Sequence, residues 1–133
     1  MAAYELVTGQ RIWELNLAGI STPALAGDWI FTLTDDARLL AIARASGKVR
    51  WISQLNQWRD AEDKEGPIFW QGPVLAGDSL WVVNSLGQLW RVSPGEGSAA
   101  LFTDLGQPIS LAPIVANQTL YILDDSGRIS AFR

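Results

Sequence analysis

The sequence predicts an all-β chain: a β-propeller fragment of three four-stranded antiparallel blades. Three observations carry that expectation. One pattern recurs three times, each copy is written in short β-branched and aromatic runs bounded by Gly, Asn or Asp, and no stretch shows helical periodicity. Residues 23–42, 73–92 and 113–132 align without a gap. Pro23, Pro73 and Pro113 coincide, then Ala26, Ala76 and Ala116, then Gly27, Gly77 and Asn117, then Ile30, Leu80 and Leu120, then Leu39, Leu89 and Ile129. The prolines are offset by 50 and 40, so the period is 40 with a ten-residue insertion after the first copy. Four strands in about 40 residues are the sequence signature of a propeller blade.

The elements follow in order along the chain. Residues 1–17 contain "TGQRIW" (8–13), a near-copy of "SGKVRW" (46–51), and are expected to form the outer strand of a preceding or swapped blade. Blade 1 spans 18–53, with strands in "WIFTL" (29–33) and "RLLAI" (38–42) and an outer strand carrying Trp51. Residues 54–66 form an inserted inter-blade loop. Blade 2 spans 67–106, with "LWVV" (80–83) and "QLWRV" (88–92); the register sets Gly97 over Gly47 and Leu101 over Trp51. Blade 3 spans 107–133, with "LYIL" (120–123) and "RISAF" (128–132), and lacks its outer strand. The repeat prolines are expected near the start of each innermost strand. Gly27, Gly77, Asn117, Gly87 and Gly127 fall at hairpin turns, where Gly and Asn accept the positive φ that tight hairpins require.

Two stretches resemble a known family. "AIARASGKVRW" (41–51) and "AYELVTGQRIW" (3–13) are similar to the tryptophan-docking repeat of quinoprotein-type propellers, the PQQ-like repeat. Within that class the chain most resembles the C-terminal blades of the BamB-type lipoproteins of the outer-membrane β-barrel assembly machine. "DKEGPIFWQGPVLAGDSLWVVNS" (63–85) and the ending "LDDSGRISAFR" carry much of that likeness. The resemblance implies structural docking by Gly9, Trp13, Gly47 and Trp51, each Trp packing against the neighbouring blade. It further implies a non-enzymatic, periplasmic interaction scaffold, lipid-anchored in its full-length form. Its protein partner would be the barrel-assembly subunit, met through inter-blade loops. The competing implication is a piece of a PQQ-dependent dehydrogenase whose cofactor site lies on blades outside this chain.

Composition narrows the chemistry independently. The net charge is -4 with a sequence pI near 4.6, which argues against nucleic acid or an anionic membrane as partner, since both select basic patches. There is no Cys and no His, so thiol nucleophiles, disulfides, the usual zinc sites and imidazole acid–base chemistry are excluded. No membrane span and no signal segment is visible. Catalytic, cofactor and metal residues are accordingly expected to be none. Asp35–Asp36 and Asp124–Asp125 fall in one predicted hairpin turn, where Asp is favoured for its own backbone hydrogen bonds rather than for calcium; Asp28 and Asp78 read alike. Of seven Trp residues, Trp29, Trp81 and Trp90 fall in strands as inter-blade filling, while Trp58 and Trp70 flank the insertion.

The insertion is the stretch that the repeat does not explain. Trp58, Arg59, Asp60, Glu62, Asp63, Lys64 and Glu65 are either a solvated connector or a partner-contact loop, because loops on a rigid scaffold carry function disproportionately. The chain ends raise a further expectation. Ala131-Phe132-Arg133 sits at the repeat phase of Ala3-Tyr4-Glu5, and three blades make an open arc. A fragment of a larger protein, or head-to-tail self-association in which residues 10–15 are donated as an outer strand to a second copy, would satisfy that phase.

Overall fold

A computed structural model describes residues 1–17 and 22–133. Among the described residues there are fifteen strands and no helix. β1 (Ala2–Tyr4) pairs antiparallel with β2 (Arg11–Glu14). Blade 1 runs β3 (Ala24–Ala26), β4 (Trp29–Leu33), β5 (Arg38–Ala43) and β6 (Val49–Gln54), hydrogen-bonded in chain order. The first residues assigned to it from sequence, 18–21, lie outside the described residues. β7 (Trp58–Asp60) and β8 (Glu65–Pro67) form a separate two-stranded ribbon. Blade 2 comprises β9 (Trp70–Ala76), β10 (Ser79–Asn84), β11 (Gln88–Val92) and β12 (Ala99–Asp104). Blade 3 has three strands, β13 (Ile114–Ala116), β14 (Thr119–Leu123) and β15 (Ile129–Phe132).

Three details differ from the sequence reading. The first 17 residues are a hairpin rather than a lone outer strand. Glu5 N–H donates to Gln10 O and Gly9 N–H to Glu5 O, both at 2.8 Å, and this closed turn folds Ala3 back opposite Trp13. The edge of β2 that a second copy would have used is therefore occupied by β1, which removes the premise of a free strand at 10–15. Pro73 lies inside β9 rather than at its start. The β9–β10 pairing slips between Trp81 and Val83, and that irregularity accommodates a residue with no N–H to give the ladder. The insertion is a ribbon, described below.

The turn between the second and third strands of each blade is built by one repeat position. Asn84 Oδ1 accepts from Leu86 N–H at 3.0 Å and Gln88 N–H at 3.1 Å; Asp124 Oδ1 accepts from Ser126 N–H at 3.0 Å and Arg128 N–H at 3.1 Å. Thr34 Oγ1 accepts from Arg38 N–H at 3.3 Å. All three side chains are buried, so each turn is closed from the inside by an acceptor that leads the chain from the second strand into the third.

Alternation along the strands sends successive side chains to opposite faces, and the faces that meet bury a core between neighbouring sheets. Phe31, Leu33, Leu39, Leu80, Val82 and Val92 form the core between blades 1 and 2. Val83, Leu89, Ile109, Leu120 and Ile122 form the core between blades 2 and 3, and Trp13, Ile30, Leu40 and Ile42 join the first hairpin to blade 1. At the outer rim an indole bridges sheets. Trp13 Nε1–H donates to Arg44 O at 2.7 Å, and its ring lies so close to Gly47 that a Cβ there would sit 2.7 Å away. Trp51 repeats the contact one blade on: Nε1–H to Pro94 O at 2.9 Å, ring against Gly97, where a Cβ would come within 2.6 Å. Both glycines also have positive φ, 74° and 78°, so the turn and the ring contact each favour Gly.

Blade 2 varies the device. In blade 1 the outer-strand pairing slips between Ala41 and Ile42, leaving Trp51 opposite Ala41; in blade 2 the slip moves to between Leu89 and Trp90. Leu101, expected in the slot of Trp51, is left half-exposed, and Phe102 instead meets Trp81 and Phe132 edge-on, at centroid distances of 5.0 and 6.1 Å.

Two predictions follow from this packing. Trp51→Ala should destabilise by about 3–5 kcal/mol, the cost of removing a docked large aromatic, measured by urea denaturation; a loss below about 1 kcal/mol would show the contact to be ornamental. Thr32 is fully buried, and its hydroxyl has no hydrogen-bond partner, at the repeat position that holds Val82 and Ile122. Thr32→Val should therefore stabilise, by about 1–3 kcal/mol, as removal of an unsatisfied buried polar group does.

Candidate functional site

The β7–β8 ribbon is the candidate site, and its base is tied to both neighbouring blades. Leu55, buried, donates its N–H to Ala37 O at 2.8 Å, and Gln54 Nε2 donates to Asp36 O at 2.9 Å and to Leu55 O at 3.0 Å. These bonds hold the start of the insertion to the second turn of blade 1. On the other side Trp70, also buried, donates its indole N–H to Asn56 O at 2.7 Å and meets Trp90 edge-on at 6.0 Å. Ile68 N–H closes the stem on Gln57 O at 2.9 Å.

The tip is built by its own side chains. Asp60 accepts from Glu62 N–H at 3.1 Å and Asp63 N–H at 3.2 Å, Lys64 adopts φ 53°, and Asp60 faces Glu65 across the ribbon as Trp58 faces Pro67. The stem of Arg59 lies over Gly66, where a Cβ would approach its Cδ to 3.0 Å. The polarity that argued for a loop is compatible with strands here because every ribbon residue but Trp58 is exposed; Asp60 and Gly66 were the sequence signals of the turn.

The seven sequence candidates thus fall on one element. Trp58 is half-buried at its base, and Arg59, Asp60, Glu62, Asp63, Lys64 and Glu65 are all exposed. Among the described residues neither Arg59 nor Lys64 is in an ion pair. The ribbon presents two cationic and four anionic groups in water, an arrangement suited to complementary ionic contact and not to proton transfer. Phe69, which the sequence reading passed over, is 65% exposed beside the ribbon; its N–H is held by Ser85 Oγ at 3.0 Å.

The other candidates have local roles in the geometry. Asp124 and Asp36 do not share a repeat position: Asp124 aligns with Thr34, and Asp36 with Ser126. Asp36 binds the Arg38 guanidinium, with Nε at 2.7 Å, and accepts the Thr34 hydroxyl; these bonds hold its carboxyl below the usual carboxylate range. The Ser126 hydroxyl, with the Ser126 and Arg128 amides and the Arg128 charge behind it, lowers Asp124 likewise. Asp125 accepts from Ser110 Oγ at 2.9 Å, and Asp28 and Asp78 are exposed. Arg50 stacks on Trp29 at 4.6 Å, Trp81 donates to Ala76 O at 3.1 Å, and Trp90 donates to Gln88 Oε1 at 3.1 Å. Gly9 has no ring against it; a Cβ there would meet nothing within 4 Å.

The family model described as "Outer membrane protein assembly factor BamB" matches residues 1–53. The outer membrane protein assembly factor BamB of Alkalilimnicola ehrlichii is 25% identical over the whole chain, and that of Marinobacter adhaerens is 24% identical over the whole chain. The chain spans about one third of the length of these curated relatives, 33% and 32%. Among solved structures, BamB from Moraxella catarrhalis superposes with a TM-score of 0.80 at 16% identity, covering 98% of this chain and 37% of that one. The WD40 domain of SCAP from fission yeast follows with a TM-score of 0.55 at 18% identity, covering 98% of this chain and 33% of that one. The chain is therefore a β-propeller fragment with PQQ-like repeats, similar to BamB from end to end.

The lowered carboxyls set a pH dependence whose sign is fixed. A folded pKa below the unfolded one contributes stability that is present above the ordinary carboxylate range and lost as pH falls through the folded value. The thermal midpoint should decline as pH drops below about 4, and less steeply in the double variant Asp36→Asn, Asp124→Asn. Equal slopes would contradict the assignment.

Proposed function

We propose that this chain is part of a non-enzymatic propeller scaffold that serves outer-membrane protein assembly by holding a protein partner. The observation that carries the reading is the similarity to two curated BamB proteins along the entire chain, including the insertion. The geometry supports it. A ribbon clamped at its base by Gln54, Leu55 and Trp70 loses little conformational freedom on binding, so its exposed groups are pre-organised for contact. By resemblance the partner is the barrel-assembly subunit and the compartment the periplasm. The dehydrogenase reading is the weaker one, since both curated relatives are assembly factors.

In this account Trp58 and Arg59 are the anchors of the interface, and the acidic groups of Asp60, Glu62, Asp63 and Glu65 select a partner surface with basic residues. Titration of the chain with the purified periplasmic repeats of the barrel-assembly subunit tests it. The double variant Trp58→Ala, Arg59→Ala should weaken binding at least about tenfold, the scale of an interface hot spot, and move the thermal midpoint by less than about 2 °C. Unchanged affinity with unchanged stability would return the ribbon to a solvated connector.

A further inference from the structure

Phe69 follows the ribbon directly and carries a large apolar ring into water. A single exposed ring is common on protein surfaces and is not by itself a site. Two observations set this one apart. The first is how its main chain is held. Ile68 and Trp70 on either side are buried in the core between blades 1 and 2, and the residue between them is turned outward. The Phe69 N–H donates to Ser85 Oγ at 3.0 Å, and the Phe69 carbonyl accepts from Ser85 N–H at 2.8 Å. Both main-chain groups are thus fixed by one residue of the β10–β11 turn, and the ring is presented from a set position.

The second is the connection from blade 2 to blade 3, which does the same job without a ribbon. Leu105 N–H donates to Gly87 O there as Leu55 N–H donates to Ala37 O, and Asp125 N–H donates to Pro108 O as Ser85 N–H donates to Phe69 O, all at 2.8 Å. Ile109 then enters the core between blades 2 and 3 as Trp70 enters that between blades 1 and 2. The ends of the two connections match, yet residues 105–108 suffice for one while 55–69 make the other. Blade spacing therefore requires neither the ribbon nor a ring at position 69, since an exposed proline serves at 108. The bond to the Ser85 hydroxyl has no counterpart either: Pro108 has no N–H, and Asp125 accepts from Ser110 Oγ instead, at 2.9 Å. Ring, added bond and ribbon occur together in one connection and are all missing from the other.

We propose that Phe69 is the apolar anchor of the partner surface, and that it enters an apolar pocket bordered by basic residues on that partner. The assignment rests on the ribbon being a partner-contact element, as proposed above. The basic border follows from the exposed carboxylates of Asp60, Glu62, Asp63 and Glu65, which precede Phe69 in the same insertion and select cations around it. An apolar centre within a charged rim is the arrangement in which a few residues carry most of an interface's affinity. A backbone fixed before contact lowers the entropy lost on binding.

The test labels the whole chain with para-fluorophenylalanine, assigns the Phe69 fluorine resonance with Phe69→Leu, and titrates with the purified periplasmic repeats of the barrel-assembly subunit. Association is followed separately by sedimentation velocity. The Phe69 signal should shift and lose most of its sensitivity to exchange of H2O for D2O, as a ring leaving water does. Phe69→Ala should weaken binding at least about tenfold and Phe69→Leu, which keeps the apolar bulk, by less than about threefold, while the thermal midpoint moves by less than about 2 °C. Association with an unshifted, solvent-exposed Phe69 signal, or full affinity in Phe69→Ala, overturns the proposal and leaves the ribbon as the contact. No association of the intact chain overturns both. A Phe69 signal that moves with chain concentration alone assigns the ring to a second copy, and one that moves on adding phosphatidylcholine vesicles alone assigns it to a lipid surface; either result overturns the proposal.

Discussion

An indole laid on the glycine turn of the next sheet is the contact on which this fold depends. A blade has two apolar faces, and no hydrogen bond of its own ladder ties it to its neighbours. Trp13 on Gly47 and Trp51 on Gly97 supply the connection at the outer rim, where the sheets diverge most. The magnitudes say which part of the contact matters. Burying a large aromatic removes about 150–250 Å2 from water, worth about 4–6 kcal/mol at 25 cal/mol/Å2 as an upper bound, whereas the indole hydrogen bond nets about 0.5–1.5 kcal/mol. The apolar contact therefore sets the strength, and the N–H to Arg44 or Pro94 carbonyl sets the orientation. Glycine at 47 and 97 follows from that ring, since any Cβ would overlap it.

The same contact explains why so much of the fold was legible in the sequence. Gly47 and Trp51 are four residues apart, as Gly9 and Trp13 are, so the shared spacing exposes them, and the repeated Pro, Ala and Gly positions then fix the strand order. What spacing could not show is where an outer strand bulges. Leu101 occupies the slot of Trp51 by counting, but moving the slip from beside Ala41 to beside Leu89 turns Phe102 toward blade 3 instead. Bulges insert one residue without leaving a mark in a gapless alignment. The opening hairpin escaped for a related reason: Ala2–Tyr4 is too short to read as a strand, and only the closed turn from Glu5 to Gln10 pairs it with Arg11–Glu14.

The candidate site was legible as a location and not as a shape. The ten-residue offset isolates it, and its charge says that it is exposed. That it is a clamped ribbon depends on Trp70 reaching back to Asn56 and Gln54 reaching the Asp36 and Leu55 carbonyls, side chain to backbone contacts that periodicity does not encode. Those clamps give the site its physical character. A polar ribbon without a core of its own would be mobile; fixed between two blades, it presents Trp58 and Arg59 in a set geometry, and the rigidity of the docked sheets is transmitted to the interaction surface.

The central claim is that ring-on-glycine docking makes blades 1 and 2 one cooperative unit. Native-state amide hydrogen exchange measures this directly, by comparing opening free energies of the buried strands Arg38–Ala43 and Ser79–Asn84. The account predicts that both strands open with the same free energy, and that a Trp51→Ala substitution lowers the two together. Strands that open with different free energies in the intact chain, or a substitution that lowers blade 1 alone, would contradict it.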